Sequence, residues 1–254
     1  MVNEEEKNIS PVEINLSPSR VGTYQQCARK YYYNYIQHLP TKDWPHFDLG
    51  HLVHGALEFF HEEFRKDGSD VNLRRLMKNS FKAQRDKMEK EKVLSDETLL
   101  EARDLLSDYL NSIENKGIGS TIISLEKKFR IPLNDNVYVN GILDRLDVDN
   151  DGTYHIKDYK TNKNKKYMKP FQLCVYGIYM LNKYPDIDHF RASYIMMRFG
   201  GKYISYDFNR SDVQKCKIDL IQYADRIAEE KKWTPKQSKL CDWCDFKSTC
   251  FSTW

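Results

Sequence analysis

Asp144, Asp158 and Lys160 fall within one short stretch, Gly141 to Thr161, which reads GILDRLDVDNDGTYHIKDYKT. An Asn-Asp-Gly turn at Asn150, Asp151 and Gly152 divides it into two extended segments, the kind of tight connection that joins antiparallel strands. Strand side chains alternate faces, so Ile142, Asp144, Leu146 and Val148 share one side of the first strand, while Tyr154, Ile156, Asp158 and Lys160 share one side of the second. Each otherwise apolar face therefore carries acids. A carboxylate buried among Ile, Leu and Tyr is costly unless it is paired or holds a cation, and this set reads as a metal site with its own ammonium. The plainer reading is a structural Asp/Lys ion pair at a strand end.

A second group capable of chemistry lies at the end of the sequence, where LCDWCDFKSTCFSTW places Cys241, Cys244 and Cys250 in a C-x2-C-x5-C pattern. Three thiolates within ten residues point to metal ligation. A tetrahedral site or a cubane cluster needs a fourth ligand, and no His or Cys follows Cys250. Cys27 is the natural candidate, because Cys174 and Cys216 lie in expected helices where apolar burial suffices. Zinc and an iron-sulfur cluster both accept four cysteines, and the spacing leaves the two open.

A third candidate is His54, on the border of an apolar helix face in DLGHLVHGALEFFHEEFR, Asp48 to Arg65. A satisfied, partly buried histidine is the bland alternative. His51, His54, Glu58 and His61 could suggest a helical zinc site, yet HEEF is not HExxH and a zincin is discounted.

The elements that must position these residues follow from periodicity. Ser17 before Pro18 marks a helix start, and SRVGTYQQCARKYYYNYI continues it with an aromatic stripe and Cys27 near the middle. The helix Asp48 to Arg65 and two polar-rich helices, Asn72 to Lys92 and Asp96 to Asn115, come next. Thr121 to Ile131 alternates as a strand with Ile123, Leu125, Phe129 and Ile131 on one face and Glu126 on the other, which makes Glu126 a weak site candidate. The two central strands follow, then a helix from Lys169 to Tyr184 on which Gln172 and Tyr176 stand one turn apart. A hairpin of His189 to Phe199 with Lys202 to Phe208, split at Gly200-Gly201, and a helix from Asp212 to Glu230 complete the order. The pattern predicts an α/β domain with a mixed sheet and a helical elaboration near its start.

Bulk properties set limits on function. The 254 residues suffice for a substantial core, and 40 Lys and Arg against 37 Asp and Glu leave +3, so no global basic field announces nucleic acid, although a local basic groove is compatible. No apolar run approaches the ~18 residues of a membrane span. The polar start MVNEEEKNIS is unlike a signal peptide, and a cytosolic protein is expected. Six cysteines in a reducing compartment favour ligation over disulfides.

Several pieces together resemble one family. LSPSRVGTYQQCARKYYYNYI with its single cysteine, LGHLVHGALE, GILDRLD, IKDYKT, QLCVY and CDWCDFKSTC occur in this order in the RecB-type branch of the PD-(D/E)XK nucleases. The chain is similar in particular to the iron-sulfur members, the AddB-like C-terminal nucleases and the small stand-alone exonucleases related to those of CRISPR adaptation. The acid of the DXK element is Asp158 rather than the commoner Glu. The resemblance implies a restriction-endonuclease-like mixed sheet flanked by helices, with a helical insertion and a cysteine-ligated cluster near the C-terminus. Residues 1–15 are expected as a disordered start and, from the length, residues 16–254 as a single domain, within which the resemblance places N-terminal helices in 16–120, a nuclease core in 121–210 and a C-terminal helix and tail in 211–254. His54, Asp144, Asp158 and the carbonyl of Tyr159 match positions that hold Mg2+ or Mn2+, and Lys160 matches the catalytic lysine. Gln172 and Tyr176 match a QxxxY element that positions DNA or the lysine. Cys27, Cys241, Cys244 and Cys250 match the ligands of a 4Fe-4S cluster that ties the chain ends together. The implied activity is phosphodiester hydrolysis on DNA that is single-stranded or has free ends, with partner proteins of recombination, replication or CRISPR adaptation. The rival readings are a module that keeps the fold and cluster without cutting, and a zinc-stabilised structural or DNA-binding protein.

Overall fold

The computed structural model describes residues 13–42, 44–67 and 72–251. The expected disorder at the start falls mainly on residues 1–12, outside that set. Ile14–Leu16 is ordered, and forms a strand (β1) that alternation alone is too short to reveal. The described helices are α1 (Pro18–Gln26), α2 (Ala28–Tyr31), α3 (Pro45–Asp67), α4 (Leu73–Met88), α5 (Asp96–Lys116), α6 (Phe171–Lys183), α7 (Arg210–Glu229) and α8 (Lys247–Phe251). The further strands are β2 (Ser120–Pro132), β3 (Val137–Asp149), β4 (Tyr154–Lys160), β5 (His189–Met196) and β6 (Lys202–Asn209). They make one mixed sheet in the order β1-β3-β4-β5-β6, with β2 also pairing β3. β1 runs parallel to β3 and β4 parallel to β5, whereas β3–β4 and β5–β6 are antiparallel hairpins.

Side-chain caps fix the helix starts. Ser17 Oγ accepts from the Arg20 amide, Asn72 Oδ1 from Arg75 and Ser95 Oγ from Thr98, each satisfying an amide that has no partner inside its helix. The expected long first helix is broken at Cys27, whose φ of −165° and ψ of 115° are extended. Beyond α2 the backbone widens into a π turn, Tyr32–Ile36.

The residues fall into two compact units. Unit 1 is drawn from Met1–His38, Phe129–Gly141 and Lys217–Trp254, and unit 2 from Leu39–Lys128 and Ile142–Cys216. In unit 1 the late segment packs on the early helices through aromatic rings: Trp233 stacks on Tyr31 at 6.0 Å, and the buried Phe246 meets Tyr33 at 5.6 Å. The tail therefore has packing of its own beyond its cysteines. In unit 2 the apolar face of α3, including Leu52, Val53, Leu57 and Phe60, packs with α5 residues such as Leu106 and Tyr109 and with Tyr159, Ile195 and Met197 of the sheet side. That packing sets α3 beside Tyr159, near the C-terminal end of β4.

Candidate active site and cysteine cluster

The β3–β4 hairpin turns where the sequence predicts: Gly152 has φ of +84°, and its amide donates to the Asp149 carbonyl at 2.9 Å. Arg145 faces Lys157 and Asp147 faces His155 across the register, which puts Asp144 and Asp158 on the opposite side of the ribbon. Asp144 Oδ2 accepts the Tyr159 amide at 2.8 Å, and His54 Nδ1 of α3 lies 3.3 Å from the same oxygen. His54, Glu126 and Asp144 offer ligand atoms within 4.8 Å of one another. Asp158 Oδ1 accepts from Gln172 Nε2 at 2.9 Å and from the Tyr176 hydroxyl at 3.1 Å. Lys160 Nζ is ion-paired with Asp158 Oδ2 at 2.6 Å, and no other donor reaches this buried oxygen among the described residues. Gln172 and Tyr176 thus grip the acid itself.

The electrostatics are those of a crowded acidic site. Burial works against a charged His54, but the Asp144 carboxylate more than offsets it and lifts the imidazole pKa to about 9. Burial likewise opposes ionisation of Asp144, and His54 still holds that carboxyl below its usual range. Asp158 is pushed up by burial, with Lys160 opposing the rise. Glu126 is raised to about 7 by burial and by the nearby Asp144. Three carboxyl groups then face two cationic side chains, an arrangement that attracts a further cation.

Glu126 corrects the expectation drawn from strand parity. Its φ of +42° interrupts β2 as a bulge does, so the alternation changes phase. Ile122 is buried before it, Phe129 and Ile131 after it, and Ile123 is exposed. The kink delivers Glu126 to a cavity of about 590 Å³ that is lined also by His51, His54, Glu58, Gln84, Asp144 and Lys160. Gln84 was not legible from sequence. Its amide occupies the space that a Cβ on Gly55 would fill, 2.3 Å from Gln84 Cδ, and donates to the His51 carbonyl at 3.1 Å. Its Oε1 is buried and has no hydrogen-bond partner among the described residues.

The other face of the hairpin carries a second charged group that the sequence reading missed. Asp147, fully buried, accepts from Arg145 Nε at 2.7 Å, Arg145 Nη2 at 2.5 Å, Lys157 Nζ at 2.6 Å and Ser120 Oγ at 2.5 Å. Arg145 also reaches the His61 ring at 3.1 Å, and that ring is 3.1 Å from the Tyr109 hydroxyl. His61 is held far below the ordinary histidine range by burial and by the Arg145 charge. It belongs to this network.

In unit 1, Cys27, Cys241, Cys244 and Cys250 line one cavity. The Lys236 amide points at Cys27 Sγ at 3.4 Å and the Ser238 amide at Cys241 Sγ at 3.5 Å. Burial pushes the Cys244 thiol up. Cys174 and Cys216 are buried in helices, and no disulfide joins any of the six cysteines.

A mixed sheet that presents acids and a lysine from neighbouring strands, under a histidine-bearing helix, defines a nuclease class. The chain belongs to the PD-(D/E)XK nuclease superfamily, whose family model matches residues 15–251. It is 23% identical over 241 residues to an ATP-dependent helicase/deoxyribonuclease subunit from Streptococcus agalactiae serotype Ia, covering 86% of this chain and 21% of that protein. The like-named protein of Streptococcus uberis is 24% identical over 155 residues, 59% of this chain and 14% of that one. The chain thus spans about a fifth or less of the curated relatives it matches. A solved structure of a candidate exonuclease from Eubacterium rectale superposes with a TM-score of 0.52 at 11% identity, covering 96% of this chain and 92% of that chain, a likeness of fold. Among the described residues no helix is long and apolar enough to cross a membrane.

Proposed function

We propose that this chain is a metal-dependent deoxyribonuclease that works from DNA ends, with a structural 4Fe-4S cluster in unit 1. The observation that carries the reading is the convergence of His54, Glu126 and Asp144 within 4.8 Å, in the cavity that the Lys160 ammonium also lines. Carboxylates with one imidazole are a hard, oxygen-rich donor set that fits Mg2+ or Mn2+. His54, Asp144, Asp158 and the Tyr159 carbonyl would hold the cation, with Glu126 beside them, and when bound it supplies a Lewis acid and a nucleophilic water at neutral pH. Gln172 and Tyr176 fix the rotation of the Asp158 carboxylate by holding Oδ1, which turns Oδ2 toward Lys160. The Lys160 ammonium stabilises charge that builds on the phosphate oxygens in the transition state. α3 and Gln84 of α4 wall the cavity, which suits a strand threaded in from an end.

Two features support a cluster in unit 1. The four cysteines line one cavity, and backbone amides point at two of the sulfurs, as suits cluster thiolates.

Cleavage of end-labelled single-stranded and duplex DNA with Mg2+ or Mn2+ tests the activity. Asp144→Ala and Asp158→Ala should abolish it, and full activity in either variant overturns the assignment. Iron analysis of anaerobically purified protein tests the cluster: Cys27→Ala should lose the brown absorption and melt lower, while Cys174→Ala keeps its colour. Zinc in place of iron would overturn it.

A further inference from the structure

We propose that the lysine-rich segment following β4 is the surface on which the phosphates of a nucleic-acid strand rest as the strand leaves the cavity. This extends the nuclease reading and depends on it. The stretch KTNKNKKYMK contains Lys160, Lys163, Lys165, Lys166 and Lys169, and no Asp or Glu occurs from Tyr159 to Pro185. In a chain whose net charge is only +3, this is a strong local excess.

Runs of lysine are commonly just solvated, but here three observations point to a ligand. The first is continuity, since Lys160, Thr161 and Asn162 line the acidic cavity and the exposed Lys163, Lys165, Lys166 and Lys169 follow directly. A second is the lack of anionic partners. Lys163, Lys165 and Lys169 face no carboxylate among the described residues, so the charge of the stretch is not neutralised within the chain. Lys165 Nζ instead sits 4.1 Å over the Phe199 ring.

The third is that the backbone beneath the lysines is pinned. The Thr161 carbonyl accepts from Arg198 Nε at 2.6 Å, and Arg198 is itself ion-paired with Glu101. Asn164 Oδ1 accepts from the Lys166 amide at 2.9 Å. The Met168 and Lys169 carbonyls accept from the hydroxyls of Tyr206 at 2.9 Å and Tyr194 at 2.8 Å. An anchored segment presents its ammonium groups with less ordering still to be done on binding. A row of separate cations on a fixed backbone matches a polyanion with regularly spaced charges, read without regard to sequence. A protein partner with an acidic face would meet the same charges, but the row begins at the mouth of the cavity, which favours the strand.

The test compares the wild type with Lys163→Gln/Lys165→Gln/Lys169→Gln. Binding of a fluorescent single-stranded oligonucleotide is measured by anisotropy across a KCl series in chelator, so that no cleavage occurs. Each phosphate contact on a single strand adds about 0.7 to the slope of log affinity against log salt, so the variant should lose about 2. Affinities that converge near 1 M salt should then differ by about 100-fold at 0.1 M. Hydrolysis of bis(p-nitrophenyl) phosphate with Mn2+, a diester too small to reach the lysines, should be unchanged. A salt slope equal to the wild type's, or no oligonucleotide binding by the wild type, overturns the lysine surface. So does an equal loss on the small diester, which would mean a damaged cavity. A wild-type chain that hydrolyses neither substrate with either metal is a failure of the nuclease reading instead, and the slope reports on the lysines independently of it.

Discussion

The two faces of the β3–β4 hairpin hold similar side chains to different ends. On one face Asp147 is surrounded by Arg145, Lys157 and Ser120, and its four contacts with them all fall between 2.5 and 2.7 Å. On the other, Asp144 and Glu126 line a cavity with His54 and Lys160, and the buried Asp158 Oδ2 has only the Lys160 ammonium beside it among the described residues. A closed network spends its charges on itself and holds the fold, whereas an incompletely satisfied one is a place for a ligand. Burial alone does not tell them apart, because Asp147 and Asp158 are both almost wholly buried.

Removing one acid from each face tests the distinction most directly. Asp147→Ala strands two buried cations and should cost about 3–5 kcal/mol in denaturant unfolding. Asp158→Ala should cost less, because relief of carboxylate repulsion offsets the donors it leaves on Gln172, Tyr176 and Lys160, while DNA cleavage is lost. Equal destabilisation by the two would remove the difference between the faces. Next in size is Lys160→Ala, for which turnover should drop by ~100-fold with oligonucleotide affinity in chelator little changed. An equal loss of affinity would make Lys160 a phosphate anchor.

A pH titration of stability probes the same contrast from the closed side. His61 sits far below the ordinary range, and His155, beside Asp149 and Ser193, is lowered to about 4 by burial and then by Lys157. Both are neutral in the folded chain and bind protons once it unfolds. Their contribution is therefore present above the unfolded pKa of about 6.5 and is lost as pH falls toward 4, at up to ~1.4 kcal/mol per pH unit for each histidine. His155→Gln should flatten the acid limb of that curve, and an unchanged limb would show that His155 is protonated in the fold. The smallest expected effect is at the cavity wall. Gly55→Ala must push the Gln84 amide out of its seat, costing on the order of 1 kcal/mol. Its effect on cleavage should be non-additive with Gln84→Ala, and strict additivity would mean that the two positions do not touch.

Periodicity and turn chemistry made most of the architecture legible. The Asn-Asp-Gly hairpin, the order of later elements and the sharing of a face by Asp158 and Lys160 all follow from spacing. Two things did not. Glu126 was misplaced because face parity assumes an unbroken strand, and a bulge at a residue other than glycine leaves no mark in the residue types. The Arg145–Asp147–Lys157 network was overlooked because charged residues on a strand read as solvent-facing; the signal was available in their opposite signs across the hairpin register. The π turn after α2 and the break at Cys27 likewise depend on packing that lies far off in sequence.

Because unit 1 is assembled from three separated stretches, the order of synthesis matters to it. Unit 2, and with it the acidic cavity, is complete in sequence at Cys216. Tyr31 and Tyr33 leave the ribosome long before Trp233 and Phe246, the rings that cover them. At about 5–20 residues per second the wait is on the order of ten to forty seconds. For that interval the first helices present an aromatic face that these two rings do not yet cover.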